Sequence, residues 1–460
     1  MKRIALTLVA AVASVLCVAA LKGATRPHYG GALRFSMRAA PLSLDPADPN
    51  QAESTGVRNL AALIFDTLTT LDFRGLPQPA LAGSWQAEPG NQRWRFYIRR
   101  GVTFQDGVPV SPDAVAASLR AVNAKWKIFP AEESVVIECE APTPDLPAQL
   151  ALVRYSIAWR GGKLAGSGPF AVANWNAGKK LTLRARDEYW GGRAFVDSIE
   201  VEMGRNLREQ TIALNLGKAD IIEITPEEAR RAVTEGHIVK RSAPAEFMGL
   251  LFTREQVSAD ELRLRQALAF SIDRATMNNV LLQGGGEPAG GILPNWMTGY
   301  AFLFPAQADL PHARQLRGEV HEASAWTLAY DPSDALARVI AERIVLSAHD
   351  SGITLELASS RAADIRLVRF PLASMDPQIA LTEAAATLGL PQPKFNRDSA
   401  DATYAAEKAL LQGQRVIPLF HLREAIEASS NVQGLTQDRD GGWKFQNVWL
   451  GTIPSGTENP

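Results

Sequence analysis

The chain has 460 residues, 46% hydrophobic and 21% charged, which suits two or more globular domains and excludes a disordered chain. Its 48 Lys and Arg balance 49 Asp and Glu, so it lacks the basic excess of a nucleic-acid binder, and no nucleic-acid partner is expected. Two cysteines, Cys17 and Cys139, are too few for a thiolate zinc site or a disulfide framework.

In chain order, Lys2 and Arg3 form a short basic segment, and Ile4 to Ala20 is apolar or small throughout. Val18-Ala19-Ala20 offers small residues at the −3 and −1 positions of a cleavage site. This is the layout of a secretory signal peptide over residues 1–20. The run is a little short for a membrane span of about 20 residues. Leu16, before Cys17, is large where a lipid-modification signal needs a small residue. The chain is therefore expected to be exported and periplasmic, with Cys139 lacking an intramolecular partner.

Trp94, Phe96 and Ile98 alternate with Arg93, Arg95 and Arg99, the period of a half-buried strand. Asp106-Gly107, ahead of Val108 and Val110, predicts a hairpin turn. Ser111-Pro112-Asp113 predicts a helix start, with a hydroxyl cap, proline in the first turn and a carboxylate near the positive helix end; the helix runs to about Val122. Strands are predicted over Phe170 to Trp175, Leu181 to Leu183, and around Ile199, Val201 and Met203. A helix from about Leu207 stops at Gly217, and Ile221-Ile222 returns to the sheet. Leu264, Ala267, Leu268 and Ser271 share one helix face. Asp273 caps a second helix that ends at Gly284-Gly285-Gly286. Trp326, Leu328 and Tyr330, a helical stripe from Leu336 to Ile344, and then Ile353, Leu355 and Leu357 make a βαβ unit with parallel strands. A helix at Tyr404–Leu411 and a strand at Ile417–Phe420 repeat the theme. The fold class is α/β with at least two lobes, and the texture changes near residues 245–260.

No catalytic constellation stands out. His28, His237, His312, His321, His349 and His421 are scattered without metal-ligand spacing, and no His-Glu-x-x-His is present. Ser167 lacks the spaced glycines of a nucleophile elbow. Gly284-Gly285-Gly286 follows a helix, whereas a dinucleotide fingerprint needs a strand before it and a helix after it. No catalytic residue, metal or cofactor is therefore expected. Trp296 and Phe370 lie beside prolines in loops, where ligand contacts concentrate.

Four ordered blocks resemble the family 5 extracellular solute-binding proteins, the peptide- and nickel-binding group of ABC importers. They are Gln78 to Trp85 with Trp94 to Gly107; Gly166 to Phe170 with Trp175, Gly178 to Leu181 and Tyr189 to Gly192; Leu264 to Arg274; and Ala405 to Gly434 with Ile417-Pro418-Leu419. The resemblance implies a two-lobed periplasmic-binding-protein-like fold with an interlobe cleft and a small inserted subdomain. It places lobe I at 21–55, 166–250 and 426–460, the small subdomain at 56–165, and lobe II at 251–425. It implies a non-enzymatic protein that captures a peptide-like small ligand by hinge closure and delivers it to the transmembrane subunits of an ABC permease.

The implied ligand-binding residues are Leu42, Ser43 and Asp45 in the first cleft loop, Trp296, and then Phe370, Ala373, Ser374 and Asp376. Peptide-binding members carry an Asp near Ala373 to pair with the peptide amine; here Asp376 is the substitute, the correspondence is displaced by a few residues, or the ligand has no free amine. Turn-capping for Asp45 and hinge packing for Trp296 are equally good readings of those two residues. Two alternatives are a metal-chelate or haem-binding sensory or scavenging module on the same fold, and an exported hydrolase.

Overall fold

The structure is a computed structural model describing residues 26–49, 54–321, 325–358, 363–395 and 399–451; the predicted signal peptide lies outside the described residues. The alternating segment is the strand Arg93–Ile98, with Trp94, Phe96 and Ile98 buried and Tyr97 exposed. It belongs to a four-stranded antiparallel sheet with Ala82–Ala87, Ser134–Glu138 and Lys127–Ala131. Helix Pro112–Val122 starts where the cap predicts: the Ser111 hydroxyl accepts the Ala114 N–H at 3.2 Å, and Val115 and Leu119 pack into the core under that sheet. The Asp106-Gly107 turn forms, with Gly107 at φ 84°. Its arms meet in an isolated antiparallel bridge, Thr103 to Pro109, flanked by hydrogen bonds from the Phe104 N–H to the Val108 carbonyl and from the Val110 N–H to the Val102 carbonyl.

A second, eleven-stranded sheet runs through the rest of the described chain. At one end Ala32–Ser36 lies parallel to Ser198–Glu202 and Ile221–Ile224, and Lys180–Ala185 and Phe170–Asn176 add antiparallel strands. At the other end Trp326–Ala329 and Leu355–Ala358 are parallel and joined by helix Ala335–Asp350, the predicted βαβ unit. Ile365–Pro371 also runs parallel to Trp326–Ala329. Each end buries its own core. Leu33, Phe35, Leu183 and Phe445 centre the first lobe; Leu250, Leu268, Ile340 and Ile344 centre the second, with Phe247, Phe370 and Leu381 in an adjoining cluster. Helix Thr55–Ile64 packs into the first-lobe core through Leu60 and Ile64, while the core of the small sheet takes in Leu68 and Leu81.

Two long strands, Ile238–Phe252 and Val416–Ala428, belong to both lobes. Ile238 to Arg241 faces Ala428 to Ala425 beside the first-lobe strands, and Phe247 to Leu251 faces His421 to Val416 beside the second-lobe strands. Between these stretches the register shifts twice, around Pro244, which has no N–H to give the ladder. The passage between lobes therefore lies inside a strand pair and not in a linker. One boundary differs from the sequence reading: the helix capped by Asp273 ends at Val280, ahead of the glycine run. Gln283 and Gly284 then take φ of 50° and 75°, and Gly286 opens a short strand, Gly286–Pro288, against Val416–Ala428. No described helix is long and apolar enough to cross a membrane.

Candidate functional site

Between the lobes lies a cavity of about 340 Å³, within the size range of small-ligand sites. Three parts of the molecule wall it. The first lobe supplies the loop from Pro41 to Pro49 and one side of helix Thr55–Ile64, including Val57, Arg58 and Ala61. That helix starts here because the Ser54 hydroxyl caps the Val57 N–H at 3.2 Å. The small sheet unit adds Val122 and Leu152 to Arg154, and the second lobe adds Pro371 and Ala373. The walls are mostly apolar. Arg58, Arg154 and Asp48 are the charged residues among the described lining.

The charges around the cavity are largely committed to ties between parts. Arg58 donates to the Leu372 carbonyl at 2.8 Å and the Asp440 carbonyl at 2.5 Å, joining the first lobe to the second. Arg154 pairs bidentately with Glu383, at 2.5 and 2.6 Å, joining the small unit to second-lobe helix Pro377–Thr387. Burial alone would lower the Arg154 pKa, but the hydrogen bond and charge of Glu383 raise it and hold the guanidinium charged. Arg369 bridges Glu246 at 2.7 Å and Asp334 at 2.8 Å. Burial opposes its charge too, and the two carboxylates outweigh it. At the lip, Gly75 (φ 79°) sits so close to the second lobe that a Cβ would lie 2.6 Å from the Met375 carbonyl oxygen. Beneath the cavity, burial and the charge of Glu246 raise the pKa of Glu424, against the opposing effects of the Thr55 hydroxyl and Arg58.

The structure brings some of the predicted residues together and not others. Ser43 from the first lobe and Ala373 from the second both line the cavity. Leu42 is 80% exposed, its side chain against Gly178. Asp45 is held by Arg160 at 2.6 and 3.1 Å and accepts the Ala47 N–H at 2.9 Å. Burial would raise its pKa; these partners bring it below the ordinary value. Trp296 lies on helix Asn295–Thr298 and donates its indole N–H to the Pro244 carbonyl at 3.0 Å, which is hinge packing. Phe370 is buried in the second lobe, 5.2 Å from the Phe247 ring. The Ser374 hydroxyl accepts the Asp376 N–H at 3.1 Å. Asp376 caps helix Pro377–Thr387, accepting the Gln378 and Ile379 N–H groups at 2.9 and 3.0 Å. His421 is buried, its Nε2 2.9 Å from the Ile292 carbonyl, and burial pushes its pKa down to about 4.

The sequence reading missed Arg58 and Arg154. Each is an isolated arginine in an unremarkable helical segment, and only long-range folding carries them to the cavity. Among the described residues no group of three or more His, Cys, Asp or Glu is placed to hold a metal ion.

Residues 77–401 match the family model of the bacterial extracellular solute-binding proteins, family 5 middle. The oligopeptide-binding protein OppA of Bacillus subtilis (strain 168) is 22% identical over 320 residues, 58% of this chain and 57% of that protein. The chain spans about half the length of several curated relatives that it matches. Among solved structures, the periplasmic binding protein DppA from Helicobacter pylori in complex with peptide STSA superposes with a TM-score of 0.78 at 19% identity, over 93% of this chain and 99% of that one. NikA from Staphylococcus aureus in complex with Ni(L-His)2 does so with a TM-score of 0.78 at 15% identity, over 91% and 99%. At these identities the structural matches speak for the two-lobed fold.

Proposed function

The chain belongs to the bacterial extracellular solute-binding proteins of family 5, and from that premise we propose that it is the exported, ligand-capturing component of an ABC importer. Family and fold are those of binding proteins, not enzymes. The ligand is a small peptide-like solute that enters the cavity between the lobes. Hinge closure holds it, and the closed form delivers it to the permease in the periplasm.

The observation that carries this reading is that one cavity draws its walls from both lobes, while two strands with a broken register link those lobes. A ligand touching Ser43 and Arg58 on one side and Ala373 on the other gains its full set of contacts when the lobes are together. Its differential affinity then shifts the population towards closure. With Asp45 held by Arg160 and Asp376 capping a helix, main-chain groups and cavity shape carry much of the recognition.

Mass spectrometry of the protein purified from its export route, with ligand released under denaturing conditions, tests the ligand class. Short peptides bear the reading out. A metal chelate or another small molecule keeps the binding fold and discards the peptide. Small-angle scattering tests closure: a radius of gyration unchanged by the recovered ligand removes the hinge step.

A further inference from the structure

Val416–Ala428 turns successive side chains to opposite faces of its sheet. Glu424 lies on the ligand side, with Thr55 and Arg58. Its neighbours Arg423 and Ala425 line a different cavity, of about 270 Å³, behind the hinge. Three arginines line it, two of them, Arg230 and Arg241, solvent-exposed. Arg230 comes from first-lobe helix Pro226–Thr234, and Arg241 and Arg423 come from the two long strands at the point where their register breaks. The second lobe closes the cavity with the turn Gln283-Gly284-Gly285, in which Gln283 and Gly284 take positive φ.

Arg423 has a counter-charge, Glu287 at 2.7 Å, and also reaches the Ser242 carbonyl at 3.3 Å. The side chains of Arg230 and Arg241 make no ion pair or hydrogen bond with any described residue. Three cations and one amide line the cavity and no carboxylate does, Glu287 reaching only Arg423 from outside it, which leaves a net positive well. Planar guanidinium forks are the side-chain groups best matched to an oxyanion.

We propose that this cavity is a second binding site, for a small polyvalent oxyanion of the phosphate type. Its walls come from the first-lobe helix, both hinge strands and the second-lobe turn, so an anion held there ties the lobes together from behind. Its binding is then coupled to closure around the ligand in the front cavity. The site does not depend on which solute the front cavity takes.

Calorimetric titration of the full-length protein at low ionic strength tests this, with inorganic phosphate and pyrophosphate as probes and chloride as control. Saturable binding is expected, tighter for pyrophosphate than for phosphate and absent for chloride. Arg230→Gln and Arg241→Gln should each weaken it at least fivefold, and the double variant should abolish it while keeping the wild-type circular dichroism spectrum. Scattering with saturating pyrophosphate should show a changed radius of gyration in wild type and none in the double variant. No saturable binding, or equal binding by the double variant, overturns the site. Binding without any change in radius overturns the coupling.

Discussion

The front cavity, walled by loops and helices of both lobes and the small unit, and the rear one, lined in part by the hinge strands, handle charge in opposite ways. In front, Asp45 is held by Arg160, Arg154 by Glu383, and Arg369 by Glu246 and Asp334. Behind, Arg230 and Arg241 face a cavity without a described partner. Charges already paired make a rigid wall that selects by shape and by its main-chain groups. Unpaired ones create a field that draws in a counter-ion. The same molecule thus carries a preorganised pocket and an electrostatic one.

The comparison breaks most visibly at Arg369. Arg369→Met leaves Glu246 and Asp334 without their shared cation, and we expect a loss of roughly 3 kcal/mol of folding stability, read from urea unfolding midpoints. A loss below 1 kcal/mol would mean that front charges are as loosely held as those behind. Next, Ala373→Trp fills the front cavity from the second-lobe side; about a hundredfold weaker retention of the co-purified solute is expected, close to 2.7 kcal/mol. Unchanged recovery by mass spectrometry would move the ligand elsewhere. Arg154→Met cuts the tie to Glu383 and should cost roughly 1.5 kcal/mol, with a larger average radius by scattering if the tie helps hold the lobes together. Trp296→Phe removes one hydrogen bond to Pro244 at the hinge, with an expected cost of about 1 kcal/mol in thermal unfolding.

The subtlest change is in pH dependence. Folding raises the pKa of Glu424, so the folded chain holds that proton more tightly. Its contribution to stability is complete below the ordinary glutamate pKa and is lost as pH rises through the raised value. Asp45 works the other way: its lowered pKa gives stability that is complete above the ordinary aspartate pKa and lost as pH falls through the lowered value. Glu424→Gln should therefore flatten the fall of the thermal midpoint between the ordinary glutamate pKa and about 8, and leave the limb below that range unchanged. An unchanged slope between those two values would show that Glu424 is not protonated in the folded protein.

How well the sequence could be read depended on range. Arg93–Ile98, the Ser111 cap and the βαβ unit from Trp326 to Ala358 were legible, because alternation, capping and helical stripes are local signals. Of the two long strands, only the stretch Ile417–Phe420 was. Val416–Ala428 is buried along most of its length, and a strand covered on both faces loses its period of two. At the site, the resemblance pointed to the loops of Ser43 and Ala373, which do meet at the cavity. It could not separate these from Phe370, which looks the same in sequence and faces the core.

Taken alone, the sequence determined the α/β class, the family and which loops to examine, since these follow from short-range pattern and ordered motifs. Tertiary structure decided the rest. Asp376 caps a helix, and Asp45 is held by Arg160, 115 residues away. Arg58 and Arg154 reach the cavity, and three arginines converge behind the hinge. The physical reason is that a charged side chain's role depends on the partner it finds, and those partners are brought together only by packing the lobes.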